Sequence, residues 1–185
     1  MGDIQKAEYY DNIYLGRNSY KVNYKKSEYY KLWLEVLKEI SDFFILEIGC
    51  GTGQFAHLLW DNGFREYVGA DFSVKAIKIA NKLRKKKEMN SFSFLKHDIL
   101  DPQLYKMKIE TVIALEVFEH IDDHAVINNI KNGIRVIFTL PVFDDPAHVR
   151  FFKTIKEVRD RYGKHFEEFE ARSFDKYFIC AGIKK

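Results

Sequence analysis

The sequence predicts an α/β fold, an open and mostly parallel sheet with helices on both faces. Three observations carry that expectation. Apolar runs of strand length alternate with amphipathic helical stretches from Phe43 onward, the pattern of repeated β-α units. The first of these strands breaks after Ile48 into Gly49-Cys50-Gly51-Thr52-Gly53, a loop with glycine at every second position. The second strand ends on an acid, Asp71, eighteen residues after Gly53. Glycine lets a ligand approach bare backbone, and an acid so placed can accept both hydroxyls of a ribose. The expected ligand is a nucleoside compound.

Taken in order, the elements begin with a helix over Lys25 to Ile40, where Leu32, Trp33, Val36, Leu37 and Ile40 recur at helical spacing. Strand one is Phe43–Ile48 and the helix after the glycine loop covers Gln54–Asn62. Strand two, Glu66–Ala70, leads to a helix over Val74–Lys86 capped by Ser73. Strand three is Ser91–Lys96, and only about a dozen residues separate it from strand four, so one helix of the usual alternation is lost or reduced there. Strand four, Thr111–Leu115, is a nearly unbroken apolar run of the kind buried inside a parallel sheet. A short helix over Ile121–Asn132 stops at Gly133, and strand five follows at Ile134–Leu140. Val149–Tyr162 carries one apolar stripe and ends at Gly163, which reads as a helix with a glycine stop. His165 to Lys185 reads as two further strands.

Bulk properties narrow the classes. A length of 185 residues suits a single domain with a substantial core, residues 1–40 forming a helical lid or substrate segment and 41–185 the ligand-binding core. Hydrophobic residues at 46% with only three prolines exclude a disordered chain. No apolar run approaches bilayer length and Met1 to Tyr14 has no signal-peptide core, so no membrane partner and a cytoplasmic location are expected. Two cysteines, Cys50 and Cys180, make neither a disulfide framework nor a metal spacing. The net charge of +3 is too small to argue for nucleic acid, and the run Lys82 to Lys87 reads as a solvated helix end. The oligomeric state stays open.

The words Leu46-Glu47-Ile48-Gly49-Cys50-Gly51-Thr52-Gly53 and Val68-Gly69-Ala70-Asp71-Phe72-Ser73 resemble the class I S-adenosylmethionine-dependent methyltransferases, over about Ile45 to Pro141. The resemblance implies a Rossmann-like, seven-stranded sheet whose final strands are antiparallel, with S-adenosylmethionine as cofactor. It places Glu47 near the methionine amino end, Gly49, Gly51 and Gly53 against the cofactor, and Asp71 on the ribose. It further assigns Asp98 to the adenine amino group, Ile99 to a backbone contact with the ring, and Phe72 to the ring's flank. Seven of the eleven tyrosines fall in the first thirty residues, and Tyr14 becomes a candidate for the lid over the cofactor. A dinucleotide-binding loop fits less well, because pyrophosphate favours G-x-G-x-x-G.

After strand four the chain reads Glu116-Val117-Phe118-Glu119-His120, with acids and imidazole at i, i+3 and i+4, which a helical turn would gather on one face. His148 follows strand five and would reach the same rim. Two carboxylates and two imidazoles suit a divalent ion, with Mg, Mn, Fe, Co or Zn all compatible. The Glu-x-x-Glu-His pattern with a later histidine resembles metal-dependent O-methyltransferases, among them enzymes of the 3′-terminal ribose of small RNAs and of the ubiquinone pathway. Carried over by position, Glu116, Glu119, His120 and His148 would be metal ligands, Glu116 also facing the cofactor. Without a metal, His120 or His148 becomes the general base. Arg150 reads as a solvated helix start or as a partner for an anionic substrate group.

The leading expectation is transfer of a methyl group to a hydroxyl of a small polar metabolite or sugar-like precursor. The alternatives are methylation of an RNA 3′-terminal ribose, a non-catalytic cofactor-binding subunit, and a nicotinamide oxidoreductase. The missing basic stripe weighs against RNA.

Overall fold

The computed structural model describes residues 2–42 and 44–185; Met1 and Phe43, the latter expected to open the first strand, lie outside the described residues. The strands are β1 (Phe44–Ile48), β2 (Glu66–Asp71), β3 (Phe92–Lys96), β4 (Thr111–Ala114), β5 (Arg135–Pro141), β6 (Phe166–Phe174) and β7 (Tyr177–Lys184). They form one sheet in the order β3-β2-β1-β4-β5-β7-β6. β1 to β5 run parallel, while β7 lies antiparallel between β5 and β6. This is the Rossmann-like architecture expected from the sequence.

The helices are α1 (Ala7–Gly16), α2 (Tyr30–Leu37), α3 (Gln54–Asp61), α4 (Val74–Lys86), α5 (Asp123–Asn129) and α6 (Ile155–Tyr162). Because the central strands are covered on both sides, their side chains are apolar without alternation. Leu46, Ile48, Val112, Val136 and Phe138 pack with Val126, Ile127, Val158 and Tyr162 of α5 and α6. Ile45, Ile113 and Ile137 point the other way, onto Trp33, Val36, Leu58, Leu59, Ile77 and Ala80 of α2, α3 and α4. Truncating a fully buried member such as Leu59 to alanine costs about 2–5 kcal/mol. No helix among the described residues is long and apolar enough to cross a membrane, and Cys50 and Cys180 are free and buried.

Three helices are shorter than expected, each for a local reason. α2 begins at Tyr30, not Lys25, because Asn23 accepts from the Lys25 amide at 2.9 Å and closes a separate 3-10 turn over Tyr24–Lys26. α6 begins at Ile155, not Val149: Thr154 and Glu157 form a reciprocal capping box, and the Val149 amide is drawn to the Glu119 carbonyl at 2.8 Å. α5 covers only Asp123–Asn129, capped by Asp122. Between β3 and β4 the usual helix is reduced to a 3-10 turn, Pro102–Lys106, as the short spacing implied.

The chain leaves β1 toward β2 on one side and its other neighbour is β4, so the strand order reverses between β1 and β4. Crevices at such switch points, outside the carboxyl ends of the strands, are where open α/β sheets bind ligands.

Candidate active site

A cavity of about 250 Å³ sits at that switch point, walled by the glycine loop, by the segments after β4 and β5, and by α1 and the turns that follow it. Its two ends differ.

At the first end, Glu47 is 3% exposed and accepts a hydrogen bond from the Tyr67 hydroxyl. Burial pushes its carboxyl up to about 8, against the pull of that hydrogen bond. Gly49, Gly51 and Gly53 all have left-handed φ of +68°, +51° and +78°, and a Cβ on Gly49 would stand 2.5 Å from Val117 Cγ2. Only glycine builds this cradle. Asp71 accepts from the Gly51 amide at 2.9 Å and from the Ser73 amide at 2.8 Å, which ties the acid to the loop it serves. Burial raises its carboxyl to about 6. The Tyr14 ring lies over Gly51 and stands beside Asp71, whose charge raises the Tyr14 phenol further after burial.

Glu47, the backbone of Gly49 and Gly51, and Tyr14 line the cavity, whereas Asp71, Phe72, Asp98 and Ile99 do not. Phe72 packs against Tyr10, ring centroids 5.3 Å apart. Asp98 is exposed and its carboxylate accepts from the Leu100 amide at 2.9 Å, a local turn. The Ile99 carbonyl accepts from the Tyr105 hydroxyl at 2.7 Å, and its side chain packs on the core.

The second end is assembled from the loops. Glu116 to Ile121 is not a helical turn. Glu116 takes a left-handed φ of +55°, unusual for a residue with a side chain, and Phe118 to His120 form a tight turn. Thr139 fixes Glu116 twice, accepting from its amide at 3.0 Å and donating to its carboxylate at 2.8 Å. Burial pushes Glu116 up to about 8, and burial followed by the neighbouring Glu116 charge holds the Glu119 carboxyl well above the usual carboxylate range. Glu119 has no exposed surface, and neither of its carboxylate oxygens has a hydrogen-bond partner.

Beside it, His120 Nδ1 lies 2.9 Å from the Ala147 carbonyl and His148 Nδ1 lies 3.3 Å from the Phe143 carbonyl. A carbonyl can only accept, so both Nδ1 atoms donate, and in the neutral tautomer Nε2 is the atom left to bind a ligand; His120 Nε2 stands 3.8 Å from Glu119 Oε1. One ligand atom from each of Glu119, His120 and His148 falls within 4.8 Å of the others. Glu116 lines the same cavity without joining that trio. A buried acid without partners flanked by two imidazoles fits a divalent cation with positions left open.

Arg150 is neither a helix start nor aimed at a ligand. It donates to the carbonyls of Phe118 and Ile121 on either side of Glu119 and His120, and stands 3.6 Å from buried Asp123. It therefore holds the turn in place. Among the lining residues that the sequence did not mark out for the site are Tyr10, Tyr29 and Arg17. Tyr10 faces His120 at 5.9 Å between ring centroids, and its buried hydroxyl has no partner. The tyrosine-rich start of the chain was the available signal, but nothing local distinguishes Tyr10 from its neighbours. Arg17 is the one lysine or arginine on the cavity wall among the described residues.

A reversed seven-stranded sheet with a glycine cradle at its switch point defines the class, α/β domains that bind a ligand at the carboxyl edge of the strands. Residues 41–175 match the family described as methyltransferase domain, and the chain belongs to that family. No curated protein matches it in sequence. Among solved structures it is similar to one described by the conversion of a disulfide bond into a thioacetal group during echinomycin biosynthesis, with a TM-score of 0.72, 16% identity, and coverage of 97% of this chain and 93% of that one. A Pyrococcus horikoshii protein gives a TM-score of 0.69 at 20% identity, covering 94% and 99%. Magnesium protoporphyrin IX methyltransferase from Synechocystis, with S-adenosylhomocysteine bound, gives 0.58 at 18% identity, covering 83% and 79%. The identities speak for the fold, and the family for methyl transfer.

Proposed function

We propose that the chain is a one-domain, S-adenosylmethionine-dependent O-methyltransferase acting on a hydroxyl of a small polar molecule, aided by a divalent ion at Glu119, His120 and His148. The observation that carries the metal is Glu119, a fully buried carboxylate without a hydrogen-bond partner, with His120 and His148 close enough to share an ion with it. Such a group is costly unless a cation joins it. S-adenosylmethionine is supported by the family and by the fit of the cradle, where Glu47 would meet the amino group, the glycine backbone would pack along the cofactor, and Asp71 would take the ribose.

S-adenosylmethionine supplies an electrophilic methyl group, and a divalent ion supplies the charge that lowers the pKa of an acceptor hydroxyl. The rest falls to side chains. Glu119, His120 and His148 fix the place of the acceptor oxygen, Arg150 and Thr139 hold the turn that presents them, and the aromatic cover excludes water. His120 or His148 takes the acceptor proton on Nε2 where no metal serves. A cavity wall with Arg17 as its one lysine or arginine among the described residues supports a small acceptor over the end of an RNA.

Calorimetry with S-adenosylhomocysteine, then with Mn²⁺, tests both parts. Saturable binding of each, with the Mn²⁺ heat lost in Glu119→Gln, is expected. No nucleoside binding sinks the whole reading; nucleoside binding without Mn²⁺ removes only the metal and leaves the general-base form.

A further inference from the structure

We infer that Asp11 is the positioning residue that latches α1, part of the expected N-terminal lid, over the nucleoside end of the cavity. The attachments of this segment are uneven. Its flanks are tied down: the Gly2 amide donates to the His148 carbonyl at 2.7 Å, Thr52 Oγ1 donates to the Tyr20 carbonyl at 2.6 Å, and Gln54 Nε2 donates to the Ser19 and Val22 carbonyls at 3.1 and 2.8 Å. The helix between them buries none of its residues completely and has no side-chain cap at its start. Its polar side-chain tie to the core is Asp11, whose carboxylate accepts from Ser73 Oγ at 2.5 Å and from the Lys75 amide at 3.2 Å.

That tie is placed where it controls access. Ser73 caps α4, its hydroxyl accepting from the Ala76 amide at 3.0 Å, and its own amide donates to Asp71. The carboxylate of Asp11 also sits at the positive end of a thirteen-residue helix. With Asp11 seated, Tyr14 covers Gly51, Tyr10 covers Phe72, and Asp71 is 3% exposed and absent from the cavity wall. A nucleoside reaches Asp71 only when α1 lifts, and two tethered flanks let it lift without leaving. Local openings of this kind draw on the weakly packed elements of a fold. The inference rests on the nucleoside reading of the cradle and adds a step that governs how the ligand arrives and leaves.

The test compares the full chain with Asp11→Ala and Asp11→Asn, by stopped-flow fluorescence of S-adenosylhomocysteine binding and by hydrogen exchange without ligand. Loss of a hydrogen-bonded, partly exposed carboxylate in Asp11→Ala should raise association and dissociation rates together by roughly fivefold. Exchange should quicken over residues 7–16 while the β-sheet amides and Tm hold. Asp11→Asn, which keeps an acceptor oxygen, should fall between. Unchanged rates and unchanged exchange in Asp11→Ala overturn the latch, as does a fall in Tm without a change in rates. If wild-type protein binds no S-adenosylhomocysteine, the cofactor reading has failed, and exchange over residues 7–16 still decides whether Asp11 holds the helix.

Discussion

The two ends of the cavity solve the burial of acids in opposite ways. At the nucleoside end, Glu47 is met by Tyr67, and Asp71 by the amides of Gly51 and Ser73. At the other end, Glu119 and the Tyr10 hydroxyl have no hydrogen-bond partner, and the cation nearest Glu119 is the His120 ring, 3.8 Å away, if it is protonated. A satisfied carboxylate is part of the scaffold and is formed by folding alone. An orphaned one lowers stability until a ligand arrives, so its retention points to chemistry. In the proposed function the first end recognises the cofactor and the second holds the acceptor.

Four substitutions and one titration would break or sharpen this contrast, from largest effect to smallest. Asp71→Ala should weaken S-adenosylhomocysteine about 100-fold, since it removes charge-assisted bonds and unties Gly51 and Ser73, and calorimetry measures it. Glu119→Gln should behave in the reverse sense, raising stability by about 1 kcal/mol in urea while Mn²⁺ binding disappears. A loss of stability there would mean that Glu119 is a structural acid. Tyr10→Phe keeps the ring against Phe72 and His120, so Tm should hold while methyl transfer falls about tenfold.

The titration concerns Glu47. Its folded pKa of about 8 lies above the usual carboxylate value, so the folded protein holds an extra proton between the two. Stability should therefore fall as pH rises across that interval. Affinity for a cationic amino group should move the other way, tightening up to about tenfold per pH unit until it levels above pH 8. Glu47→Gln should flatten both curves, as measured by calorimetry and thermal melts from pH 5 to 9. Smallest of all, Asp98→Ala should change nucleoside affinity by no more than about twofold, because its carboxylate is exposed and engaged with Leu100. A larger loss would place the adenine over it.

The same contrast explains what could be read from the sequence. The sheet, the glycine cradle and the place of Asp71 depend on residues close together in the chain, and apolar runs and glycine spacing declare them. The acceptor end joins residues from positions 10, 29, 116–120 and 148, which no local pattern links. Glu116, Glu119 and His120 do meet in one cavity, but through a left-handed residue and a turn instead of the helical face their spacing suggested. The Thr154–Glu157 capping box starts α6 at Ile155, whereas the apolar stripe that suggested a helix begins at Val149. Phe72, Asp98 and Ile99 were assigned by the resemblance alone, and the contacts they make here are with the protein itself.

Gly2 has a practical consequence. Its amide reaches the His148 carbonyl, and a Cβ added there would fall 1.8 Å from the Pro146 carbonyl oxygen. One extra methyl at the second residue would press on the backbone of the loop that carries His148. Mutational scans confined to the visible walls of the cavity would overlook this remote adjustment of reactivity.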